Sequence, residues 1–542
     1  MSVRKPAMDT KAAGPQTELR KQGKLSSSLA KAVSLHLDDK RTEALAVLNT
    51  ALENGEESAE ILSAKAHIQF ELEKYEDAVK TYEKLLDLAP KHATANFNVA
   101  ISYEKLGRWP DAAEAFRRAL EADPQRPDAR LGLGICLLHQ DKPEPALESF
   151  EKVLNASPDH ETALFGKAVA LQLLWKFDDS TTVYTRLLTK NPASEECLVN
   201  LVTIGMSRKD DDMIRTYSEK LLILRPSSQT ALEGLATHAF STGDYEAAVT
   251  FCLKLVESSP THFERRFNLG VAYQRTGRLE EAAHSYREAV RIRPDAKQAF
   301  VNLGIVNQEQ GELKQARECY ERALQIAPDL ADVLYNLASV LEQEGNKEEA
   351  EKLYVKLLAR NPEWEDAWFR LGYLRLQRAD HRGSAEAFQT CVRKRSPWPE
   401  AQLNLGLSFW NMGDHEGAAK MFEAVLEQSP NSVDALRGLA ALAIEKEDFG
   451  RALDLQAKLI EFGERAPELF YNTGLLLHKS GQLDDAIKLY NEALAERPDF
   501  PEALLNLGHA MKTQGHESEA RGFWRQALEV KPELAQGYFE NA

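Results

Sequence analysis

Few residues of this 542-residue chain stand at spacings that do covalent chemistry. The thirteen histidines contain no His-Glu-x-x-His pair, the arrangement that sets two zinc ligands on one helix face. Ser, His and Asp form no nucleophile elbow. Gly23-Lys24 lacks the earlier glycine of a phosphate loop, and Gly132-Leu-Gly134 is half a dinucleotide fingerprint with no strand before it. The second pair therefore reads as packing glycines. Adjacent carboxylates such as Glu280-Glu281 sit where a helix begins, and compensating the helix dipole accounts for them. Cys136, Cys197, Cys252, Cys319 and Cys391 are scattered, with no Cys-x-x-Cys and no histidine at metal spacing. Cys197, Cys252 and Cys391 fill columns held elsewhere by small or apolar residues, so they read as core thiols. An odd, dispersed set suits a reducing compartment. Asn155-Ala-Ser157 is a glycosylation sequon only in a secreted chain. The expectation is a chain without catalytic residues, metal or cofactor, and not an enzyme.

What does recur is an amide. Asn98, Asn200, Asn268, Asn302, Asn336, Asn404, Asn472 and Asn506 share one register. An Asn side chain offers both a donor and an acceptor, which matches the C=O and N–H of a peptide unit. Three of them lie in Asn-Leu-Gly trios at 302–304, 404–406 and 506–508, as does Asn268 before Leu269 and Gly270.

The elements that carry this register follow from a repeat of 34 residues. Prolines fall at 90, 124, 158, 192, 226, 260, 294, 328 and 362, then at 430, 498 and 532, with Ser396 and Glu464 at the skipped places. In the frame that starts at Ala93, position 8 is small (Ala100, Gly134, Gly270, Gly304), and so is position 20. Position 24 is mostly aromatic and position 15 is often Gly. Each unit is thus predicted to be two short helices, with Gly ending the first and Pro stopping the second. Positions 6 and 8 lie roughly 200° apart around a helix, so packing at position 8 does not require Asn at position 6.

Bulk properties narrow the class. With 43% hydrophobic and 28% charged residues the chain can fold, and no window supplies the roughly 18 apolar residues of a membrane span. A net charge of −17 argues against general nucleic-acid binding and favours basic or polar partners. Residues 1–24 are basic and polar without an apolar stretch, and read as a disordered tail instead of a secretory leader. A cytoplasmic location is expected.

The 34-residue pattern of small, aromatic and proline positions resembles the tetratricopeptide repeat. The resemblance covers residues 25–534 in about fifteen units, the first degenerate, with 535–542 as a terminal cover or the start of a further helix. It implies an all-α solenoid, a right-handed superhelix with the first helices lining its concave side. Irregular stretches at 161–228 and 365–398 are expected to hold kinks or softer joints.

The Asn column is similar to the asparagine ladder of the O-linked N-acetylglucosamine transferase family, most closely in the repeats at 263–364. That resemblance implies capture of an extended peptide backbone by Asn268, Asn302, Asn336, Asn404, Asn472 and Asn506. Arg370 and Gly438 interrupt the column, and repeats running to the end leave no place for a transferase domain. An acidic row at position 2 (Glu264, Asp332, Asp366, Glu400, Asp434, Glu468, Glu502) selects basic or hydroxyl-bearing segments on this reading, and Trp410 is a candidate anchor. The expected function is a protein-binding scaffold. The alternatives are the targeting subunit of a separate modifying enzyme, such as a glycosyltransferase, or a self-assembling element.

Overall fold

A computed structural model describes residues 27–537, which form two compact units, one ending at Arg278 and one beginning at Leu279. The expected tail at 1–24 and the last five residues lie outside the described residues. Thirty α-helices follow in helix–turn–helix order, and no strand forms among the described residues. The first unit holds seven hairpins, from Ser27–Leu37 with Arg41–Glu53 to Gln229–Thr242 with Tyr245–Ser258, and closes with Phe263–Arg275. The second opens with Leu279–Ile292, continues through seven hairpins from Lys297–Glu309 with Leu313–Ile326 to Pro501–Thr513 with Glu517–Val530, and ends in a 3₁₀ turn at Pro532–Gly537.

A single hairpin shows why the sequence folds this way. The helix Ala93–Lys105 ends where Gly107 takes φ 70°, a left-handed turn that costs Gly nothing. The helix Trp109–Ala122 then starts with Pro110 and Asp111 in its first turn. It stops two residues before Pro124, because the residue preceding a proline is forced out of helical geometry, and Asp123 is extended. The units that lack the proline end by other means. Gly55 and Gly463 adopt φ 85° and 89° just before Glu56 and Glu464, so a left-handed glycine replaces the proline as terminator. The helix His381–Lys394 also stops in register ahead of Ser396.

No hairpin has a core of its own. The aromatic at position 24 is the largest buried group in most repeats, and Tyr82, Phe116, Phe150, Tyr184, Tyr320, Tyr354, Phe388, Phe422 and Tyr490 are all fully buried. Each ring packs toward its own hairpin and the next, and truncating one costs roughly 3–5 kcal/mol. Both irregular stretches form helices of repeat length. Around 161–228 the helices Glu195–Arg208 and Gln229–Thr242 make the most extensive contact between successive first helices in their unit.

Candidate functional site

The first helices carry every residue singled out as a binding candidate, and their neighbours divide the Asn column in two. Asn98 donates its amide to the Tyr82 hydroxyl at 3.1 Å, and Asn302 to Tyr286 at 3.3 Å. Asn506 donates to the Tyr471 hydroxyl at 3.0 Å, and Asn404 to the Glu400 carbonyl of its own helix at 2.8 Å. Among the described residues the amides of Asn268, Asn336 and Asn472 make no hydrogen bond, and Asn268 and Asn472 are exposed. The column is therefore part structural and part open.

A second periodicity accounts for the bonds of Asn98 and Asn302. Position 6 lies sixteen residues after the position-24 residue of the preceding unit. Where that residue is Tyr, a polar side chain follows: Asn98, Asn200, Asn302, Asn336, Arg370 or Asn506. After three of the four phenylalanines comes Gly: Gly132, Gly166 and Gly438. A Cβ at Gly132 would lie 2.3 Å from Phe116 Cζ, and one at Gly438 2.6 Å from Phe422 Cε2. The interruption at Gly438 thus follows from a ring that occupies the space of a side chain. Sequence reading treated columns 6 and 24 separately and missed this pairing, although the step of sixteen is visible in the chain.

Arg370 breaks the column for another reason. Its guanidinium lies 2.9 Å from Glu342, to which the Tyr354 hydroxyl also donates at 3.5 Å. Burial raises the Glu342 pKa above the ordinary carboxylate value, and the charge of Arg370 opposes that rise.

The acidic row also divides. Lys531 at 2.9 Å holds the Glu502 carboxyl below its ordinary pKa, and a hydrogen bond from Arg497 does the same for Glu468. Glu264 lies 3.2 Å from His262, and Asp434 lies 3.6 Å from Arg437. Asp332, Asp366 and Glu400, on three successive first helices of the second unit, have no ion pair among the described residues. Trp410 is half-buried, and its indole N–H is donated to Glu445 at 3.2 Å.

The remaining groups behave as core. Gly132 and Gly134 lie inside the helix Pro127–His139 against the rings of Phe116 and Phe150. Burial pushes the thiols of Cys252 and Cys391 up to about 12 and that of Cys319 to about 11, which leaves little thiolate at neutral pH.

Repeat models described as tetratricopeptide repeat match residues 38–161, 214–262, 335–397 and 403–468, more than half of the chain. The chain belongs to the tetratricopeptide-repeat family. Further tetratricopeptide models match 275–311, 296–363 and 474–515. Such repeats serve in general as non-catalytic scaffolds for protein–protein interaction. Among relatives, mouse protein O-mannosyl-transferase TMTC1 is 28% identical over 20% of this chain and 12% of its own length. Small glutamine-rich tetratricopeptide repeat-containing protein 2 of Mycosarcoma maydis is 32% identical over 17% of this chain and 26% of its own length. The alignments thus span about an eighth to a quarter of these relatives. Among solved structures, Naa15/Naa10 bound to HypK-THB aligns over 93% of each chain at 13% identity and a TM-score of 0.33. No described helix of this tetratricopeptide-repeat protein is long and apolar enough to cross a membrane.

Proposed function

We propose that this chain is a non-catalytic scaffold whose first helices in the second unit hold an extended, basic segment of a partner protein. The observation that carries the reading is the set Asp332, Asp366 and Glu400: one carboxylate per repeat, none in an ion pair among the described residues. Stacked helices recur at roughly 8–10 Å and an extended chain advances roughly 3.3 Å per residue, so successive carboxylates meet about every third residue. The open amide of Asn336 adds a donor and an acceptor for the peptide backbone between them. Selection then comes from charge, and backbone capture adds affinity that is independent of sequence.

The test is fluorescence anisotropy with labelled Lys/Arg-rich and Glu-rich peptides of equal length. Wild type is expected to bind the basic peptide with a strong salt dependence, and Asp332→Asn, Asp366→Asn, Glu400→Gln together to remove most of that binding. Equal binding by wild type and the triple variant would sink the proposal.

A further inference from the structure

Linear spacing shows no metal-ligand pattern, but the fold assembles one at the start of the first unit. His36 lies in the last turn of the helix Ser27–Leu37, and His67 and Glu71 lie one turn apart on one face of Ala59–Glu71. His36 Nε2 is 2.6 Å from Glu71 Oε2, and His67 Nε2 is 3.4 Å from Glu71 Oε1. One donor atom from each of the three residues falls within 4.8 Å of the others.

We propose that His36, His67 and Glu71 form a site for an imidazole-preferring divalent cation of the zinc type. Zn²⁺ binds imidazole nitrogen and carboxylate oxygen at roughly 2.0–2.2 Å, which sets tetrahedral donors roughly 3.3 Å apart. The two histidine–carboxylate separations, one to each Glu71 oxygen, bracket that value, and the three donors already lie within 4.8 Å of one another. Two imidazoles with one carboxylate favour zinc and its neighbours over magnesium or calcium, which take oxygen donors. The side chains are 28–43% exposed, so the ion has an entry path and a fourth position open to water.

Arg41 is the group that argues against a cation there, because its Nε donates to Glu71 Oε2 at 2.9 Å. The same guanidinium has a second carboxylate, Asp39, 2.8 Å from Nη1. It can release Glu71 and keep a charge partner, so the ion displaces one hydrogen bond and leaves no buried charge unpaired. Bound there, the ion ties the first helix to the third, across the hairpin that most departs from the repeat pattern.

The test is calorimetric titration of the full chain with Zn²⁺ alone, with hydrogen exchange followed over residues 27–53. Wild type is expected to bind one equivalent and to gain protection in that segment. His36→Gln and His67→Gln each remove that equivalent and the added protection, with helicity checked by circular dichroism, and Arg41→Gln tightens binding several-fold. Absence of binding overturns the proposal. So does binding that persists unchanged in both histidine variants, which is adventitious capture by other surface histidines.

Discussion

The Asn98 amide donates to the Tyr82 hydroxyl at 3.1 Å, whereas at the same two columns one repeat later Gly132 leaves the space of a side chain to the Phe116 ring. Position 6 of one unit and position 24 of the unit before it are therefore a matched pair. A Cβ at Gly132 would stand 2.3 Å from Phe116 Cζ, so Gly132→Ala must displace a fully buried ring. Overpacking of this kind costs about 1–3 kcal/mol. Urea midpoints should show that loss in the wild-type background and little of it in a Phe116→Leu background. Additive losses would refute the pairing.

Hydrogen bonding separates the asparagines by what they do, even where a tyrosine precedes both: the Tyr82 hydroxyl accepts from Asn98, whereas Tyr320, sixteen residues before Asn336, donates to Gln308 at 3.0 Å. Asn98→Ala strands a hydroxyl on a tyrosine that is only 1% exposed, and should cost about 0.5–1.5 kcal/mol. Asn336→Ala removes an amide that bonds nothing within the described residues, so stability should stay within about 0.5 kcal/mol. Thermal melts of the two variants decide this. A comparable loss in both would mean that the whole column is structural, and that the open amide assigned to ligand capture does not exist.

Position 15 has a positive φ in all fifteen units, and seven of the fifteen residues there are not glycine: Asp39, Glu73, Asp141, Trp175, Lys209, Ala379 and Glu447. The left-handed conformation costs a non-glycine residue roughly 1–2 kcal/mol, part of which glycine returns through its freer unfolded chain. Ala379→Gly, at φ 60°, should stabilise the second unit by about 0.5–1 kcal/mol. A lower melting temperature for that variant would contradict the strain argument.

The hairpins were legible because each boundary is set locally: a left-handed turn at 15, an acidic first turn, and a proline two residues past the helix. Where Glu56 and Glu464 replaced the proline, register survived because Gly55 and Gly463 end the helix instead. Contacts between units were harder to read. Arg265 stands in a column of alanines, yet it is buried, 2.8 Å from Glu233 and 2.9 Å from Gln229. Nothing in the local sequence announces such a bridge, since its partners lie 32 and 36 residues earlier. His36 and Glu71 meet across 35 residues for the same reason. The Asn column looked like one site because its members share a register. It divides because the hydroxyl that satisfies some of them belongs to the preceding unit.

Arg370, at the Asn position, makes the second unit sensitive to pH through Glu342. Burial holds the Glu342 pKa above the ordinary carboxylate value, and the guanidinium 2.9 Å away limits that rise. A carboxyl whose folded pKa is raised binds its proton at higher pH in the folded state than in the unfolded chain. Its ionisation therefore costs stability in full above the folded pKa. That cost is relieved as pH falls from the folded pKa toward the unfolded value of roughly 4.3. Arg370→Gln removes the opposing charge, so the folded pKa rises further and the window widens upward. The variant should be less stable than wild type near neutral pH and recover part of the difference on acidification, and NMR titration of Glu342 should move to higher pH. A deficit that is constant from neutral to mildly acidic pH would show that Arg370 acts through packing alone.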